Sequence, residues 1–270
     1  MVGREFWKMS GSGNDFVFFN AMHVAAGDLA TPARIGQLCE RRTGIGADGV
    51  VFLEPHDVHA FSMRYFNRDG SLAEMCGNAA LCSTRLAREL GIVEQGEFTF
   101  QTVSGPVTGR FQDGKPQIDM VPVTQLAATF ETPRLPGEQR IGFARVGVPH
   151  LVVLVPDVEL VDVYHRGSEL RHLASLRDGA NANFVSKSVD GRWSIRTYER
   201  GVEEETLACG TGSVASAALL TAWGLERGRV VLTTRSGCDL IASVAHEPEQ
   251  GTPMLAGEGR IVFSGRLGEL

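Results

Sequence analysis

Between Thr206 and Leu225 the chain runs TLACGTGSVASAALLTAWGL, twenty residues without a charged side chain. Cys209-Gly210-Thr211-Gly212 reads as a loop or helix start, and beyond it small and apolar residues occupy every face. The pattern predicts a buried helix of about 13 residues. Length alone would also suit a membrane span, which takes about 20 mostly apolar residues, but Ala, Ser and Thr with few large aliphatics favour the buried helix. An earlier stretch, AEMCGNAALCSTRLARELGI from Ala73 to Ile92, has the same form. There Cys82, Leu86 and Leu90 make an i, i+4 apolar line, while Arg85, Arg88 and Glu89 reach solvent. The later helix lacks such a polar face and is expected to be the more buried. Gly91 and Gly224 are predicted to close the two helices. Strands are predicted at DFVFFN, GVVFLE, FSMRYF, FTFQT, HLVVLV, WSIRTY and RIVFSG, which are apolar or alternating runs bounded by Gly, Asp or Pro.

The two helical stretches are copies. Cys76 and Cys209, Gly77 and Gly210, Leu86 and Leu219, and Gly91 and Gly224 are all 133 positions apart. Upstream, SMRYFNR from Ser62 precedes SIRTYER from Ser194 by 132, and GNDFVFF at Gly13 precedes GVPHLVV at Gly147 by 134. A repeat of half the chain means two copies of one domain, since solenoid repeats run about 20 to 50 residues. Each half reads as short strands around one central helix.

Composition narrows the function. Of 270 residues 43% are hydrophobic and 21% charged, and the formal net charge is −6. That balance gives no basic footprint for nucleic acid or an anionic membrane, and small-molecule work is the expectation. Five scattered cysteines without a CxxC pair read as reduced thiols, with no zinc-ligand spacing. The N-terminal stretch lacks the apolar core of a signal peptide, which predicts a cytoplasmic protein.

GIGADG, Gly44 to Gly49, matches the GxGxxG pattern of dinucleotide loops in the wrong context. Such a loop follows a strand and opens a helix, whereas here a predicted helix from Thr31-Pro32 precedes the glycines and VVFLE follows. The cysteines are more informative. Cys39, Cys82 and Cys238 read as small buried hydrophobes. Cys76 and Cys209 each stand at a helix mouth, where unpaired N–H groups and the positive end of the dipole favour a thiolate and can bind a carboxylate. Inverting a stereocentre that carries hydrogen needs a base on one face and an acid on the other, and a thiolate with a thiol supplies both. A pyridoxal-type cofactor would need a lysine. The three lysines, Lys8, Lys115 and Lys187, lie outside any glycine-rich phosphate-binding setting, so a cofactor-free reaction is expected.

The run of motifs KMSGSGNDFVFFN, RRTGIGADGVVF, YFNRDGSLAEMCGNAALC, VGVPHLVVLV, GANANFVS, YERGVEEETLACGTG and GEGRIVFSGRL closely resembles the diaminopimelate epimerase family over nearly the whole chain. The resemblance implies an α/β (α+β) fold of two pseudo-symmetric domains, each a mixed sheet wrapped around a central helix, with the active site in the cleft between them. The first domain would be 1–120, with 261–270 returning to it, and the second 121–260. It implies Cys76 and Cys209 as acid/base thiols, with His150 and Glu199 tuning their protonation. Gly77-Asn78 and Gly210-Thr211 would hold the reacting carboxylate. Asn14, Asn67, Asn181, Glu199 and Arg200 would hold the distal groups of the substrate. No metal or cofactor is implied, and a homodimer is.

Four positions depart from the commoner family pattern: Val148 stands for an asparagine, Leu81 for an arginine, Gly49 for a glutamine of some members, and ERGVEEET is one residue longer than usual. Val148 leaves open a racemase of another amino acid on the same scaffold. A redox-switched Cys76–Cys209 pair without turnover is the alternative from another class.

Overall fold

The duplication in the sequence is a duplication of topology. The computed structural model describes residues 2–269, in two units. One runs to Ile118 and takes back the chain from Gly257; the other is Asp119–Ala256.

In the first unit β1 (Glu5–Gly11) and β2 (Asn14–Asn20) form a hairpin, and α1 (Pro32–Cys39) carries the chain to β3 (Gly49–Glu54). Strand β3 lies parallel to β2, and β4 (Ser62–Asn67) returns antiparallel to it. The central helix α2 (Gly77–Glu89) follows, and β5 (Phe98–Thr102), β6 (Gly105–Gln112) and β7 (Lys115–Asp119) continue as antiparallel neighbours. The second unit repeats this order. Strand β8 (Val123–Ala127) pairs with β9 (Arg140–Val146), which forms a hairpin with β10 (Val148–Leu154), and α3 (Val163–Arg171) crosses to the parallel β11 (Asn181–Lys187). After β12 (Trp193–Glu199) and the short β13 (Glu204–Thr206) comes the central helix α4 (Gly210–Ala222), then β14 (Arg229–Thr233), β15 (Asp239–Ser243) and β16 (Met254–Ala256). The last strand, β17 (Arg260–Arg266), pairs with β1, the place β8 takes beside β9.

Strands β2, β3 and β10 are buried on both faces, which is why DFVFFN, GVVFLE and HLVVLV read as continuous apolar runs. Strand residues alternate between faces. Val17, Phe19, Val50 and Phe52 pack with Ile35 and Leu38 of α1, and Leu151, Val153, Ala182 and Phe184 pack with Val163 and Leu170 of α3. The opposite faces surround the central helices: α2 touches β1, β3, β4, β6 and β17, and α4 touches β8 through β11 and β14 through β16. Each large side chain so buried stabilises by roughly 1.5–3 kcal/mol.

Both helices end in the same motif. Gly91 (φ 67°) and Gly224 (φ 71°) are left-handed. The Gly91 and Ile92 N–H groups donate to Arg88 and Ala87, and those of Gly224 and Leu225 to Thr221 and Leu220, a Schellman closure in each copy. The expected difference in burial is slight: ten of thirteen residues are buried in α2 and eleven of thirteen in α4. The arginines of α2 explain this, because Arg85 pairs with Glu89 and the Arg88 guanidinium lies 3.4 Å from the Phe111 ring centroid, so their stems cover the helix that their charges leave. No helix among the described residues is long and apolar enough to cross a membrane.

Candidate active site

Each cysteine mouth is a helix N-cap with extended backbone: φ −139° and ψ 118° at Cys76, φ −129° and ψ 113° at Cys209. Their carbonyls accept the first intrahelical bonds, from Ala80 and Ser213. None of the five cysteines is in a disulfide.

In the first unit the mouth of α2 meets the β1–β2 turn. Ser12 (φ 54°) and Gly13 (φ 102°) are both left-handed, as a two-residue hairpin turn requires, and Asn14 emerges opposite Gly11. Side-chain-free Gly11 lets the helix start lie beneath the hairpin, since a Cβ there would come 2.8 Å from the Asn78 carbonyl oxygen and 3.1 Å from Cys82 Sγ. Asn78 Nδ2 donates to Asn14 Oδ1 at 2.7 Å, and Asn14 Nδ2 to Asp48 at 3.3 Å. Asn67 ends β4, its Nδ2 donating to Ser71 Oγ at 3.1 Å.

Beneath Asn14 is a charged network that sequence reasoning did not single out. Arg41 clasps Asp15 with two hydrogen bonds, at 3.0 and 2.8 Å, and reaches Asp48 at 2.9 Å. Lys8 bonds Asp15 at 2.7 Å and also the Gly46 carbonyl. Burial pushes the Asp15 carboxyl up, but the hydrogen bonds and charges of Arg41 and Lys8 outweigh it and hold it below its usual range. GIGADG thus supplies Gly46 and Asp48 to an ion network. The signal was present in KMSGSGND and RRTG, where charged residues flank the glycines. At Gly49 a Cβ would come 2.4 Å from the Phe66 carbonyl oxygen, so this backbone admits no side chain at the position.

The second unit gathers different chemistry at the corresponding sheet edge. His150 on β10 stands opposite Asn181 on β11, and Glu199 ends β12 beside it. Asn181 Oδ1 accepts the Arg200 backbone N–H at 2.7 Å, and the Arg200 guanidinium donates to the Asp178 carbonyl at 3.1 Å. Burial raises the Glu199 carboxyl, with a bond from Thr206 pulling it back. His150 is fully buried, and burial, followed by the charge of Arg200, lowers it to about 3; the imidazole is neutral near pH 7. Cys209 Sγ accepts the Gly212 N–H at 3.4 Å and lies 3.5 Å from the Thr211 hydroxyl, an arrangement suited to a thiolate. Val148 opens β10 where Asn14 opens β2.

Among the described residues no group of three or more His, Cys, Asp or Glu side chains is placed to hold a metal ion. Lys8 is engaged by Asp15, and Lys187 by Glu226 at 2.6 Å.

The family model described as diaminopimelate epimerase matches the chain over residues 6–125 and 142–261, one stretch per repeat. A diaminopimelate epimerase of Gemmatimonas aurantiaca is 44% identical, covering 98% of this chain and 99% of that one. The diaminopimelate epimerase of Aquifex aeolicus is 38% identical with 98% of both covered. Among solved structures, a Bacillus anthracis phenazine biosynthesis protein of the PhzF family superposes with a TM-score of 0.76 at 13% identity over 100% of both chains, a likeness of fold.

Proposed function

The chain belongs to the diaminopimelate epimerase family, and from that premise we propose that it interconverts LL- and meso-2,6-diaminopimelate without a cofactor, using Cys76 and Cys209 as its acid/base pair. The observation that carries this reading is the repeated helix mouth: in each copy a cysteine N-caps a central helix. One sulfur, as thiolate, takes the α-hydrogen as a proton. The electron pair left on carbon spreads into the adjacent carboxylate, and the other thiol returns a proton to the opposite face, leaving the two sulfurs with exchanged protonation states. Helix-mouth N–H groups at Gly77-Asn78 and Gly210-Thr211 hold that carboxylate as its charge grows, where a donor of this kind is worth about 3 kcal/mol.

Glu199 and His150 tune the thiols. Asn14, Asn67, Asn181, Glu199 and Arg200 hold the distal ammonium and carboxylate, the amides and arginine serving the carboxylate and Glu199 the ammonium. The family resemblance extends the proposal to a cytoplasmic homodimer. Val148 supports a second reading, a racemase of another amino acid, because it puts an apolar side chain where the family commonly has an amide.

The test is incubation of the reduced protein with LL-diaminopimelate in deuterated water without added cofactor. Loss of the α-hydrogen signal with formation of the meso isomer is expected. Exchange into a single-centre amino acid, with diaminopimelate inert, would overturn the substrate assignment in favour of the second reading.

A further inference from the structure

We infer that Asn183 is a positioning residue that fixes the tautomer of His150, making its Nε2–H a permanent hydrogen-bond donor and never a base. The use of that donor in epimerisation rests on the function proposed above; the tautomer does not.

Asn183 lies on β11 two residues after Asn181 and is fully buried. The orientation of its amide is dictated by its neighbours. The Leu151 carbonyl, which can only accept, lies 3.0 Å from Nδ2, and the Thr197 hydroxyl donates to Oδ1 at 3.0 Å. Flipping the amide would set two acceptor oxygens against each other at Leu151. The second amide hydrogen therefore points to His150 Nδ1, 3.3 Å away. An amide nitrogen offers no lone pair, so the ring nitrogen is the acceptor, and a neutral imidazole then carries its single hydrogen on Nε2. Burial and the Arg200 charge keep the ring neutral. Nε2 is itself buried without a hydrogen-bond partner, and a buried donor left open in this way is the kind of group a site holds ready for a ligand or a reacting group.

The same amide is wedged against the mouth of α4. A Cβ on Gly212 would come 2.2 Å from Asn183 Oδ1 and 3.2 Å from Cys209 Sγ, and Gly212 is the residue whose N–H donates to that sulfur. One carboxamide thus orders the proton on His150 and the close approach of the helix turn that holds Cys209. Position 183 carried no signal in the sequence beyond lying in GANANFVS.

Long-range 15N NMR of the labelled protein reads the tautomer directly, with His150→Gln identifying the resonance. The expected result is an unprotonated Nδ1 and a protonated Nε2 in the wild type. In Asn183→Asp the carboxylate can only accept, so Nδ1 becomes protonated, and in Asn183→Ala the two tautomers mix. In both variants kcat for α-hydrogen exchange should fall ~10- to 100-fold, as misplacement of a reacting group does, with KM little changed. A wild-type Nδ1 that carries the proton, or a tautomer unchanged in a folded variant, overturns the assignment. The wild-type spectrum decides even where a variant fails to fold. The expected tautomer in a protein inert toward diaminopimelate would refute the proposed substrate and leave the role of Asn183 standing.

Discussion

Acidification should strike the second unit through His150. The free side chain titrates at 6.5 and the buried one at about 3, so between these values the unfolded chain binds a proton that the folded chain refuses. Folded-state stability is therefore fully present above pH 6.5 and falls as the pH drops toward 3. At about 1.4 kcal/mol per pH unit the whole loss is ~5 kcal/mol, and ~3 kcal/mol of it is gone by pH 4. Other groups titrate in the same range. Asp15, held low, also loses stability on acidification, while Glu199, held high, gains it. Urea unfolding of wild type and His150→Gln from pH 7 to pH 4 separates the terms, since the variant keeps both carboxyls and lacks only the imidazole. The stability difference between the two proteins should move by ~3 kcal/mol in the variant's favour. Because burial is the larger cause and the Arg200 charge the smaller, moderate salt should change this little. Parallel stability curves for the two proteins would refute the buried neutral imidazole.

Cys76→Ala and Cys209→Ala should each abolish epimerisation while leaving the urea midpoint close to wild type; full activity in either would end the two-thiol mechanism. Gly212→Ala sets a helix-propensity gain of about 1 kcal/mol against a 2.2 Å collision with Asn183 Oδ1. That amide is bonded to Leu151, Thr197 and His150, so it cannot yield cheaply. The net loss should be ~2–4 kcal/mol, seen calorimetrically as a Tm lower by ~5–10 °C, and an unchanged Tm would show that the carboxamide is not wedged.

Where one rule governs a segment, the sequence was readable. A cysteine followed by Gly and a small polar residue, an apolar stretch and a closing Gly specified α2 and α4 from cap to cap, and continuous apolar runs specified β2, β3 and β10. Helix α3 was not anticipated, for a local reason. Its inner face carries Arg166 and Gly167, where periodicity asks for aliphatics. Arg166 is buried in a two-bond pair with Glu138, at 2.7 and 2.9 Å, and Gly167 leaves room for Tyr198, which would lie 2.4 Å from a Cβ there. Both are tertiary arrangements with partners 28 and 31 residues away, invisible to a local pattern. Strands β6 and β8 escaped because they are half-exposed and their apolar residues form neither a continuous run nor a regular alternation. The Lys8–Asp15–Arg41–Asp48 network and Asn183 were hidden likewise: their types were plain, but only the fold supplies their partners.

Superposing the repeats by strand register gives the two helix mouths different chemical settings. Asn14 opens β2 where Val148 opens β10, Phe16 stands where His150 stands, and Gly49 where Asn181 stands; Asn67 ends β4 where Glu199 ends β12. The first edge thus keeps amides around its cysteine and no titratable side chain at these places, while the second gathers an imidazole and a carboxyl. Duplication alone would have produced two equal thiols. In the two-thiol mechanism proposed above one sulfur is deprotonated while the other is protonated, and unequal surroundings on matching backbones would bias which is which without moving either sulfur from its helix mouth. On that proposal the shared helix caps supply the geometry, and the differing flanking positions supply the electrostatic bias between two sulfurs that exchange protonation states at each turnover.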